Sequence, residues 1–129
     1  MILLDTHVLA WLQQEPRRLS RRAEAAIRRS QSTQQLAVSV ITLVELANMF
    51  NRGRIRIPGS VESGIRRFVN GITLMPLSLE IAALTTSFPP DFPSDPMDRI
   101  IAATASAEGI PLITADERIL ACPLLKTIW

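Results

Sequence analysis

Short apolar runs alternate with amphipathic helical stretches along nearly all of this 129-residue chain. That alternation restricts the fold more than any other feature, because strands joined by helical crossovers assemble a parallel sheet covered on both faces. Residues 2–4, 36–41, 72–75 and 111–114 read as buried strands, and 126–129 as a last one. Helical patterns follow them. Val8, Leu9, Trp11 and Leu12 begin the first, which Pro16 ends. Others cover residues 19–30, 42–52, 61–69 and 78–86. After a loop carrying four prolines between Phe88 and Pro96, a helix runs over 96–108, opened by a first-turn proline and closed by Gly109. A short helix covers 116–120. The order is close to βααβααβαβαβ, with no internal repeat and no linker, and residues 1–129 read as one α/β domain.

Four acids stand where strands hand over to helices: Asp5, Glu45, Asp98 and Asp116. In a parallel α/β fold such junctions converge on one edge of the sheet, where ligands bind. Each acid taken alone has a simpler explanation. Thr42-x-x-Glu45 and Thr114-x-x-Glu117 have the form of capping boxes. Asp95-Pro96-Met97-Asp98 has the form of an N-cap, a first-turn proline and a first-turn acid. Asp5 and Asp116 stand where caps would. Capping needs only a short polar oxygen, however, and here an acid is present at every junction. Carboxylates brought together repel one another unless a cation joins them. Oxygen donors with no cysteine among them select a hard ion, Mg²⁺ or Mn²⁺. Two such ions about 4 Å apart can clamp the attacking and leaving oxygens of a phosphodiester.

The net charge of +2 conceals an asymmetry: residues 1–70 carry +6 and residues 71–129 carry −4. Thirteen of the fourteen basic residues are arginine, whose forked guanidinium grips phosphate as lysine does not. A basic half beside an acidic cluster suits an enzyme that attracts a polyanion and holds a cation. Cys122 is the lone cysteine, which rules out an internal disulfide and a cysteine zinc site. A cytoplasmic location is expected, since the apolar start stops at Asp5 and no run approaches a membrane span. His7 is the only histidine and is placed for no Ser–His–Asp triad. The five glycines are too scattered for a phosphate loop. A haloacid-dehalogenase-like phosphatase needs a second aspartate two residues beyond the first, where this chain has His7. A receiver domain needs an acid pair near the first strand, where only Asp5 is found.

Four segments resemble one family. Leu3-Leu4-Asp5-Thr6-His7-Val8-Leu9-Ala10-Trp11 is similar to the opening of PIN-domain ribonucleases, especially VapC-type toxins. Ser39–Leu46, Asp95–Ala103 and Thr114-Ala115-Asp116 resemble their second, third and fourth motifs, in the same order. Departures are mild: Met97 stands where phenylalanine is common, and Thr104 where glutamine is. The resemblance implies a three-layer α/β/α sandwich around a mostly parallel sheet of about five strands. It implies that Asp5, Glu45, Asp98 and Asp116 hold Mg²⁺ or Mn²⁺ and cut RNA, with Thr6 and Thr114 as supporting hydroxyls. It also implies a cognate antitoxin and a homodimer. Arg52, Arg54 and Arg99 are candidate RNA contacts, Arg99 being equally suited to pair with a neighbouring acid. Trp11 reads as core or interface. A non-catalytic RNA- or protein-binding module of the same fold is the competing expectation.

Overall fold

The computed structural model describes residues 1–129. Five short strands form one parallel sheet: β1 (Ile2–Leu4), β2 (Leu36–Ser39), β3 (Thr73–Met75), β4 (Leu112–Ile113) and β5 (Thr127–Ile128). Their spatial order is β3-β2-β1-β4-β5. β1 is central, and the chain winds outward to β3 on one side and to β5 on the other. The point where the winding reverses lies between β1 and β4, and the crevice at their C-terminal ends is where such sheets bind ligands.

The pleat sorts the strand residues into two cores. Ile2, Leu4, Leu36, Val38 and Ile113 face one layer, built by α1 (Thr6–Gln14), α2 (Arg21–Ser32), α3 (Ile41–Asn51) and α4 (Val61–Phe68). Leu3, Ala37 and Leu112 face the other, where they pack against Ile101, Ala102 and Ala105 of α6 (Pro96–Glu108) and Ile119 of α7 (Glu117–Leu120). The continuous apolar strands follow from burial on both faces. The architecture is thus the expected α/β/α sandwich.

Local differences have local causes. Pro16 does not merely end α1; it opens a 3₁₀ turn over Pro16–Arg18, and α2 starts later, at Arg21, under the Ser20 hydroxyl, which accepts from Ala23 N at 3.1 Å. The β-branched run 38–41 overstates β2, because Val40 and Ile41 already turn into α3. Two helices, α5 (Leu79–Leu84) and α6, separate β3 from β4, matching the helical patterns over 78–86 and 96–108. The proline loop between them adds no strand. α6 has the bounds expected of it, with Gly109 closing it at φ 65°, a left-handed conformation that glycine adopts without a Cβ penalty.

Candidate active site

The fold brings all four acids to two cavities that share His7. Asp5 ends β1, its N–H bonding to the Ile113 carbonyl at 3.0 Å. Asp116 follows β4, Glu45 lies in the second turn of α3, and Asp98 lies in the first turn of α6. Asp5, Asp98 and Asp116 line one cavity of about 240 Å³ together with His7 and Trp11. Glu45 lines an adjoining cavity of about 310 Å³ with Asn48, Met49, Arg52, Arg54 and Asp95, and His7 borders both. Glu45, Asn48, Met49 and Arg52 share one face of α3 by helical spacing.

The capping explanations now separate. Asp116 does cap α7: its Oδ1 accepts from Arg118 N at 2.8 Å and Ile119 N at 3.2 Å. Asp95 caps α6 through Met97 N at 2.9 Å. Neither Thr-x-x-Glu segment forms its box. Thr42 is fully buried and shares a 2.9 Å hydrogen bond with the Thr6 hydroxyl, while Glu45 Oε1 accepts from Thr6 Oγ1 at 2.5 Å. One proton per hydroxyl fixes the direction: Thr42 donates to Thr6, and Thr6 donates to Glu45. Thr114 Oγ1 accepts from Asp116 N at 3.1 Å and donates to Asp5 Oδ2 at 2.8 Å, spanning 109 residues of sequence. Asp5 stands at the N-cap position of α1 but caps nothing. Asp5, Glu45 and Asp98 therefore have no helix-capping role.

These three carboxyls are electrostatically uncomfortable. Burial pushes Asp5 upward, against the lowering effect of the Thr114 hydrogen bond and of His7, and Asp116 adds to the rise. Glu45 is raised by burial and by Asp5, against its bond from Thr6. Asp98 is pushed up to about 7, first by burial and then by the charges of Asp5, Asp95, Glu45 and Asp116. Such mutual destabilisation marks functional clusters. The all-oxygen donor set fits a hard cation. Its spacing is looser than a closed coordination sphere, since no three of these side chains converge on a single point.

The arginines divide. Arg52 and Arg54 are exposed and line the same cavity as Glu45. Arg99 pairs with no acid. Its Nε donates to the Pro93 carbonyl at 2.8 Å and its Nη1 to the Thr85 carbonyl at 3.0 Å, so its guanidinium ties α6 to the proline loop and to the end of α5. Sequence reasoning passed over Trp11 and Asn48 as lining residues. The signal for Asn48 was its position three residues beyond Glu45 on α3. Trp11 follows His7 by four residues, one turn of α1.

The PIN-domain family model matches residues 2–122. The chain belongs to the PIN-domain family. Ribonuclease VapC22 of Mycobacterium tuberculosis (strain ATCC 25618 / H37Rv) is 35% identical to it over 130 residues, covering 99% of this chain and 98% of that protein. Two solved structures share the PIN fold at lower identity. VapBC2 from Rickettsia felis, bound to a DNA fragment from its promoter, superposes with a TM-score of 0.74 at 17% identity, covering 98% of this chain and 97% of that one. A toxin–antitoxin complex from Klebsiella pneumoniae gives 0.69 at 23% identity over 97% and 95% of the two chains. No helix of this PIN domain is long and apolar enough to cross a membrane.

Thr114 yields a direct test of the site's internal support. Thr114→Val removes the donor to buried Asp5 and the acceptor for Asp116 N, and an unsatisfied buried group costs about 1–3 kcal/mol. Urea unfolding at pH 8 should show that loss for Thr114→Val and little of it for Thr114→Ser, which keeps the hydroxyl. Equal stability of the two variants would contradict the assignment.

Proposed function

We propose that this PIN domain is the toxin of a toxin–antitoxin pair, a Mg²⁺- or Mn²⁺-dependent endoribonuclease that hydrolyses RNA phosphodiester bonds. The observation that carries the reading is the failure of capping to account for Asp5, Glu45 and Asp98. Three acids are held together at the sheet's switch point at an electrostatic cost, and no structural role repays it. The identity to a ribonuclease along the whole chain supports the same conclusion.

Asp5, Glu45, Asp98 and Asp116 are the residues that would hold the ion. When bound, a divalent ion supplies Lewis-acid polarisation and lowers the pKa of water. The chain's own groups do the rest. Thr114 and Thr6 fix the Asp5 and Glu45 carboxylates by donating to them. Arg52 and Arg54 line the Glu45 cavity and would hold phosphate oxygens of the RNA strand. The partner that restrains this activity is a cognate antitoxin, and the toxin acts as a homodimer in the cytoplasm. The competing reading, a binding module without catalysis, gains no observation here, since all four acids are present.

The test is cleavage of total cellular RNA by the purified protein in Mg²⁺, in Mn²⁺ and in excess EDTA, with the product ends sequenced. Discrete cut sites that vanish in EDTA are expected. Undiminished cutting in EDTA would refute metal dependence, and no cutting under any condition would favour the binding module.

A further inference from the structure

An aromatic residue at the edge of the core also borders the acidic cavity. Trp11 packs only partly against the core and also lines the cavity with Asp5, Asp98 and Asp116. Its ring is flanked by the exposed His7, centroids 6.4 Å apart, and braced by Trp129 at 5.8 Å. The Arg18 guanidinium lies over the indole, 4.3 Å from the ring centroid. Arg18 is held by little else: its ion pair with Glu15 is 3.9 Å long, and about half of each side chain is exposed. Arg17, Arg21 and Arg22 continue the basic run from Arg18 into α2, exposed and without an ion pair. An aromatic face with a loosely tethered arginine, leading into a basic track, is how proteins hold an unpaired nucleotide: the base stacks and the cation takes the phosphate.

We infer that Trp11, His7 and Arg18 form a nucleotide-holding ledge beside the acidic cavity, so that this PIN domain takes a single-stranded RNA segment and stacks one unpaired base next to the scissile phosphate. The inference rests on the nuclease reading above. It adds a positioning site, an aromatic seat for one base of the RNA strand. Trp11 acts in it by stacking, and Arg18 by moving from the indole to the strand.

Fluorescence gives the readout, because the chain has two tryptophans and no tyrosine. The probe is a single-stranded RNA of about ten nucleotides, within the usual reach of such sites, spanning a cut mapped by end sequencing. In a D5N/W129F double variant, where cleavage is blocked and Trp11 is the only indole, the RNA should quench Trp11 emission. The same sequence as a duplex should not. Anisotropy of labelled RNA should show binding weakened roughly tenfold or more by Trp11→Ala and by less than about threefold by Trp11→Phe. If Trp11→Ala fails to fold, the quenching and Arg18→Ala decide. RNA that binds while Trp11 emission stays unchanged, or equal affinity in a folded Trp11→Ala variant, overturns the ledge. Wild-type cleavage of that RNA in Mg²⁺ with a silent Trp11 overturns the ledge alone. An absence of any cut to map refutes the nuclease reading, and the ledge falls with it.

Discussion

Replacing Asp5 by asparagine should lower the proposed metal-dependent RNA cleavage on the order of a hundredfold or more, since even groups that only support a metal ligand are worth 10–100-fold. The same substitution leaves the fold at least as stable. Asp5 is 5% exposed, and its carboxylate is disfavoured there by burial. Asparagine keeps an oxygen for the Thr114 hydroxyl and removes the charge. Loss of activity with an unchanged or raised melting temperature therefore separates a chemical role from a structural one. Asp116→Asn provides the contrast. Asp116 receives two backbone N–H groups as the cap of α7, and asparagine caps nearly as well. It too should lose activity without unfolding. Retained activity in D5N, measured in parallel with its circular dichroism, would remove Asp5 from the chemistry.

The second large effect concerns stability in EDTA. Asp98 titrates at about 7 in the folded protein against 3.8 in an unfolded chain. Between those values the native state holds a proton that the unfolded state has released. Stability contributed by this group is therefore full below about pH 4, falls as pH rises, and is lost above about 7. Asp5 and Glu45 are raised as well and push in the same direction. Asp98→Asn should then stabilise the protein at pH 8 by about 2 kcal/mol, allowing for partial solvent screening, a shift on the order of 5–10 °C in melting temperature. At pH 4 the variant and the wild type should melt together. A variant that is no more stable than wild type at pH 8 would show that the acids do not oppose one another.

Much of this was legible in the sequence because punctuation residues coincide with the folding physics. Pro96 and Gly109 bracket α6, and Ser78 caps α5 by accepting from Ile81 N at 3.1 Å. Asp5, Glu45 and Asp116 could be placed just beyond strand ends by pattern alone, whereas Asp98 follows α5 and the proline loop rather than a strand. The separation of the four acids into caps and non-caps could not be read from pattern. Thr42-x-x-Glu45 has the pattern of a capping box, and only the packing of α1 on α3 turns the Thr42 hydroxyl toward Thr6. Arg99 was open to pairing with an acid and does not do so, because the carbonyls of Pro93 and Thr85 that receive it are presented by a loop whose path no periodicity encodes. Trp11 was legible as apolar but not as a cavity wall, since that depends on the rotation of α1 against the sheet. The strand at β2 was overextended because β-branched Val40 and Ile41 continue past its last residue, Ser39.

Isothermal titration of the metal-free wild-type protein with Mn²⁺ at pH 7 tests most directly whether the four acids, brought from distant parts of the chain, bind a divalent ion through oxygen alone. The prediction is a saturable heat whose size changes with the ionisation enthalpy of the buffer, because binding displaces the proton from a carboxyl such as Asp98, together with loss of that isotherm in Asp5→Asn. A flat titration of the wild-type protein, or an isotherm that Asp5→Asn leaves unaltered, would contradict it.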